Sequence, residues 1–433
     1  MKRQAGVVCV LLLLAAGTVC PAAAAAPDGA QARPRIRITY ATPITQSDLF
    51  ERGEKQVLTR FMAENPDVEV VARQIPFDNY DMQVLLAARA GRPPDVGRVN
   101  HSTVQTWAGA GYLVELDDFV ARSTVIDPND YWPGFWNICR IRGKLYAVPL
   151  GTDCRVLLCH VGLFRQAGVR PPRTWNELVE AARKIHRPHE KVYGIAFPTN
   201  NEWSATYDVI GNFLVANGGR IIDDDGTRGT IASDPRAAEA FRFVCELVTV
   251  HKVCPPGMAN LGGDVIESLF VNGRLGMMVS GPWVRAGLHR LRPDFEWKIH
   301  YDMVPIPAGP ATGRSGSSQG GWLIGVFQGS PHREAALRLL EYFSRPESFA
   351  LMAGAENLPP RRAAMSLGPF QDPFYQVFFE QLPNARPPVA LVPQLPNVAR
   401  AIQRAYQRVV AGGAGVDETL AWLENELTNH LLR

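Results

Sequence analysis

Histidines, cysteines, tryptophans and a few scattered polar groups are the residues of this 433-residue chain whose spacing bears on chemistry. His186 and His189 stand in a His-x-x-His spacing, but Pro188 interrupts them and no cysteine lies close by, so a solvated loop fits them better than zinc. The chain contains no His-Glu-x-x-His, Ser-x-x-Lys, Cys-x-x-Cys or Walker-type phosphate loop. It therefore advertises neither a metal nor a cofactor. Three tryptophans have neighbours suited to a cleft. Trp283 follows Ser280-Gly281-Pro282, a turn at a strand end, and ligands of open α/β sheets bind outside such ends. Trp203 stands in the polar loop Thr199 to Trp203 that opens a helix. Trp322 follows Gly320-Gly321, where the lack of side chains would let a ligand approach the backbone, and a core role suits it equally. Asp153 could accept hydroxyl hydrogen bonds or simply pair with Arg155. Asn100-His101 and the stretch Thr42 to Ser47, including Gln46, each follow a strand; they are hydrogen-bonding candidates, with helix capping as the competing use. Arg361 completes the set, against the common case of an exposed arginine.

These groups need a scaffold, and the ends of the chain bound what it is. Met1 to Ala25 has the build of a secretory signal: Lys2 and Arg3, an apolar core from Val7 to Ala16, then small residues with cleavage at Ala23-Ala24-Ala25. A lipid anchor on Cys20 is disfavoured, because Val19 stands where a small residue is needed. No later stretch is long and apolar enough to cross a bilayer, so the expectation is an exported protein of the periplasm. Losing Lys2 and Arg3 takes the basic residues from 45 to 43 against 42 acids, a balance that predicts no nucleic-acid partner. Five cysteines remain, an odd number in an oxidising compartment; Cys245 and Cys254 could bridge.

Strand and helix patterns alternate from the start. Strands are predicted over 35–40, 68–73 and 95–99, with helices over 47–64 and 80–90 between them, the order of a mostly parallel sheet covered by helices. The stretch Gly143 to Ile185 holds two short strands and a Thr-x-x-Glu capping box at Thr174 and Glu177 that opens a helix. Beyond it, strands are predicted over 193–197, 275–279, 298–304 and 321–327. Helices are predicted over 203–216, 235–250, 264–271, 331–343, 399–410 and 416–432, and residues 305–320 read as a loop rich in Pro, Gly and Ser.

The Gly143–Ile185 stretch closely resembles the crossing between lobes in extracellular solute-binding proteins of bacterial ABC importers, in their sugar-binding branch. Pro93-Pro94-Asp95-Val96, Leu275 to Trp283, Gly320-Gly321-Trp322 with the helix from Pro331, and Leu358 to Arg361 resemble further elements of that family, in family order. The resemblance implies a periplasmic binding protein-like α/β fold of the class II type. Its lobes would span 34–152 with 300–345, and 153–299 with 346–433 and its C-terminal helices. It also implies a monomeric, non-catalytic carrier that closes on a carbohydrate between the lobes and hands it to a membrane permease. Sugars present apolar C–H faces rimmed by hydroxyls, so such a site needs flat aromatics beside groups that donate and accept hydrogen bonds. On that basis Thr42, Gln46, Asn100, His101, Asp153, Trp203, Trp283, Gly321, Trp322 and Arg361 form the expected ligand set.

The chain departs from the family's pattern at Cys159-His160, where relatives carry a polar pair such as Tyr-Asn, and at Cys154, where Thr is usual. Rival readings keep the fold and change the cargo to a phosphorylated polyol, with Arg361 and loop amides on the phosphate, or to a polyamine. A secreted hydrolase is the rival of another class.

Overall fold

The computed structural model describes residues 35–45, 48, 50–353 and 358–433. The signal segment, Cys20 and Gln46 therefore lie outside the described residues. Strands β1 (Ile36–Ile44), β2 (Val68–Pro76) and β3 (Val96–Asn100) form where β-branched residues alternate, and helices Lys55–Glu64 and Phe77–Arg89 connect them. The connections make β1 parallel to both neighbours, as the β–helix–β order demands. A two-residue hairpin, β4 (Arg140–Ile141) and β5 (Lys144–Leu145), precedes the first crossing.

The crossing is abrupt. β6 (Val148–Cys154) joins the first sheet and β7 (Val156–His160) the second, with only Arg155 between them. The second sheet is completed by β8 (Tyr193–Ala196), β9 (Leu275–Ser280) and β10 (Tyr301–Val304), in the order β10-β7-β9-β8. The chain then returns as β11 (Ser317–Val326), which pairs with β3 and β6, and a short β12 (Ala385–Arg386) closes that edge.

Three expectations are corrected by this layout. The sheets are less parallel than expected: β11 runs antiparallel to both β3 and β6, and β7 runs antiparallel to both β9 and β10. The crossings run from β6 to β7 and from β10 to β11, and neither passes through a helix. Residues 301–304, placed with the first lobe from the sequence, pair with β7 in the second sheet, so the return crossing follows Val304. The loop expected to Gly320 ends earlier, because Ser317 to Gln319 already belong to the fully buried β11.

Both crossings are stitched together. The Arg155 backbone N–H donates to Ser317 Oγ (2.7 Å), and Asn212 Oδ1 accepts from the Ser318 backbone N–H (3.1 Å). The Thr174 cap forms as expected, its hydroxyl accepting from the Glu177 N–H at 3.3 Å. Glu177, however, reaches back to the Arg173 N–H (2.6 Å) and not to that of Thr174. Trp175 is structural: its indole stacks on Phe243 with ring centres 4.3 Å apart.

Candidate functional site

At the end of β3, Asn100 Oδ1 accepts from the Ser102 N–H (3.0 Å) and hydroxyl (2.7 Å), an Asx turn that stops the strand. Asn100 is thereby used as a cap, and it is His101 that enters the interior. The His101 ring lies edge-on to Tyr207, centres 5.1 Å apart. His101 follows the C-terminal end of β3, an interior strand of the first sheet, and Tyr207 comes from a π-helical stretch, Ser204–Ile210, beside the second. His101 Nδ1 sits 3.0 Å from the Gly321 carbonyl and 3.2 Å from its N–H, whereas Nε2 is buried with no partner. Burial holds the imidazole at about 4, with the Gly321 backbone bond opposing and the Arg155 charge assisting, so the ring is neutral at neutral pH. The Tyr207 hydroxyl is also buried without a partner. What sets this pair apart from the other buried polar atoms without a partner is that their rings meet from the sides of different sheets, beside the charges of the crossing.

The crossing itself supplies the charges. Arg155 binds Asp153 through Nη1 and Asp208 through Nε (2.8 Å), and all three side chains are shielded from water. Asp153 also accepts from the Gly320 N–H at 3.0 Å. Burial raises both carboxyls above their ordinary range, with Arg155 pulling the other way. Burial likewise works against the Arg155 charge, yet its two acids more than restore it and hold it firmly protonated. The guanidinium lies 5.1 Å from the centre of the Trp283 ring and 5.8 Å from that of Tyr207, within cation–π range.

Glycines make this convergence possible. Trp283 folds back over its own turn: a Cβ on Gly281 would stand 2.2 Å from Trp283 Cζ3. A Cβ on Gly320 would meet His101 Cε1 at 3.0 Å and Asp153 Oδ1 at 3.1 Å, so a side chain there would press on both groups. Gly321 has φ +143° and its Cβ would meet the Gly151 carbonyl at 2.2 Å. Its role is in backbone geometry and in holding His101. Trp203 is half-buried, its ring tilted against Tyr207 at 6.3 Å. His101, Asp153, Trp203, Trp283 and Gly321 are thus brought to one place.

The remaining expected residues are engaged elsewhere. Thr42 is fully buried and donates to Glu54 (2.6 Å) in a network with Tyr40 and Arg98. Trp322 points to the opposite face of β11 from Gly321 and packs against Arg98, Tyr80 and Phe77. Arg361 pairs with Asp130 (2.7 Å) and donates to the carbonyls of Val125 and Ser344, which ties chain segments together. That also removes the guanidinium on which a phosphorylated cargo relied.

Tyr207 and Asp208 went unmarked in the sequence reading. They lie about one turn beyond Trp203 in the same predicted helix, and the i, i+4 relation of Tyr207 to Trp203 was the available signal. Gly316 to Gly320 also has the Gly-x-Ser-x-Gly spacing of a nucleophile elbow. Ser318, however, lies within β11 and donates to the Tyr207 carbonyl (2.6 Å); no strand-to-helix turn presents it. The departures at 154 and 159–160 are structural: Cys154 and Cys159 are buried, and His160 caps helix Val161–Ala167. Cys245 and Cys254 are free thiols in this structure. Among the described residues no group of three or more His, Cys, Asp or Glu side chains is placed to hold a metal ion.

Two α/β layers joined by closely spaced crossings, with a polar and aromatic cluster between them, define a periplasmic binding protein-like fold. The family model of bacterial extracellular solute-binding proteins matches residues 48–348, and this chain belongs to that family. A solute-binding protein from Thermotoga lettingae bound with α-D-tagatose superposes with a TM-score of 0.81 at 25% identity, covering 91% of this chain and 99% of that one. The sugar-binding protein MalE from Xanthomonas citri gives 0.78 at 25% identity, covering 92% and 97%. An uncharacterized lipoprotein of Streptomyces antibioticus is 27% identical over 81% of this chain and 74% of its own length. The family is extracellular and its members bind solutes, and no described helix here is long and apolar enough to cross a membrane.

Proposed function

We propose that this protein is the substrate-capturing subunit of an ABC importer, taking a mono- or oligosaccharide between its two sheets and delivering it to a membrane permease. It acts as an exported, monomeric, non-catalytic carrier. The observation that carries the reading is the meeting of His101 and Tyr207, two buried groups from opposite sides with His101 Nε2 and the Tyr207 hydroxyl unpartnered. A neutral imidazole and a phenol both donate and accept, which is what sugar hydroxyls require. Trp203 and Trp283 supply flat surfaces for the C–H faces. Closure around the solute joins groups that neither side could bring alone. The sugar-related relatives support the same reading.

The test is a saccharide panel read by thermal melting and tryptophan fluorescence. A saccharide at 100 times its Kd stabilises by about 2.7 kcal/mol, and closure alters the surroundings of Trp203 and Trp283. A broad panel of mono- and oligosaccharides that moves neither signal refutes the proposal.

A further inference from the structure

Asp153 and Asp208 both close on a single guanidinium, with side-chain exposures of 8%, 15% and, for Arg155, 9%. Among the described residues neither acid pairs with a second cation. His101 adds no charge, being neutral. With both acids ionised, the enclosed cluster holds two negative charges against one positive, and an uncompensated carboxylate away from water is costly. The aromatic faces of Trp283 and Tyr207 are already turned toward a cation, at 5.1 and 5.8 Å. Two carboxylates and two π faces around one guanidinium make an environment with capacity for one further positive charge.

We infer that the solute carries a protonated amine: an amino sugar or aminated oligosaccharide, held in preference to its neutral counterpart. This rests on the carbohydrate reading above and narrows it. The amine would lie against Asp208, the more exposed of the two acids, while hydroxyls engage His101 Nε2 and the Tyr207 hydroxyl. Burial has raised both carboxyls, the state in which an arriving cation gains most by restoring their charge.

The experiment is calorimetric titration of the full chain at neutral pH with matched pairs. D-glucosamine is set against D-glucose and N-acetyl-D-glucosamine, and chitosan oligomers against chitin oligomers of equal length. The amine of each pair should bind at least tenfold tighter. Asp208→Asn should abolish that preference, and Asp208→Glu, which keeps the charge, should retain it. The preference is a ratio of two affinities on one preparation, so a less stable variant still reports it. Neutral sugars binding as tightly as their amines overturn the inference and leave carbohydrate capture standing. A preference that survives Asp208→Asn and Asp153→Asn overturns it as well. Failure of both series to bind overturns the inference, and carbohydrate capture then stands or falls on the broad panel above.

Discussion

Replacing Arg155 with methionine should cost far more than one surface ion pair would suggest, and the cost should grow with pH. The side chain is 9% exposed, and its loss strands Asp153 and Asp208 at 8% and 15% exposure. Removing one partner of a buried charge pair costs about 3–5 kcal/mol, because the remaining charge keeps its desolvation penalty and loses its compensation. The two acids can escape only by taking protons. Their carboxyls already titrate above the ordinary value of 3.8 in the intact protein, burial being the main cause, and without Arg155 they should rise further. A carboxyl with a raised folded-state pKa favours the fold at low pH, where it is protonated, and that contribution is lost as pH climbs through the folded value. The deficit of Arg155→Met against the wild type should therefore be small just above the ordinary carboxylate range and full at neutral pH. Urea denaturation at pH 4.5 and 7.5 measures this. The companion variant Asp153→Asn/Arg155→Met/Asp208→Asn removes the charges together, and should be more stable at pH 7.5 than Arg155→Met alone. A deficit independent of pH, or a triple variant no better than the single one, would refute the view of an enclosed, over-negative cluster.

Three further outcomes separate binding from architecture. His101→Phe keeps the ring against Tyr207 but deletes both Nε2 and the Nδ1 contact with the Gly321 backbone; saccharide affinity should fall about tenfold, the 1.4 kcal/mol of one hydrogen bond, together with a stability loss of about 1–3 kcal/mol. Arg361→Ala should touch stability alone, losing about 3 kcal/mol in urea denaturation because Asp130 is left unpaired, while the folded variant binds the same saccharides with unchanged Kd. Gly321→Ala combines a left-handed φ of +143° with a 2.2 Å clash against the Gly151 carbonyl; calorimetry should show a loss of about 3 kcal/mol or more, and a near-neutral result would contradict the backbone geometry at the β6–β11 pairing.

The linear chain carried much of this fold in local signals. Alternating apolar residues located β1 to β3, and the Thr174 cap and Pro235 marked their helix starts, since caps and periodicity act within one turn. The crossing was legible too, with its turning point two residues past Asp153, at Arg155. Family order across Pro93 to Arg361 carried the class of fold.

What the sequence could not show was which polar groups were already spoken for. Thr42, Asn100 and Arg361 carry side chains able to bind a sugar, and each is consumed by a partner that only folding brings near: Glu54, the Ser102 turn and Asp130. Tyr207 and Asp208 looked like ordinary members of an amphipathic helix until the second sheet placed them against His101 and Arg155. Strand pairing across the crossings likewise moved residues 301–304 into the second sheet. Local propensity and capping act over a few neighbours, so sequence alone determined the elements and their class. Burial and charge compensation are sums over residues far apart in the chain, and only the tertiary structure decided which groups were already paired and which were not.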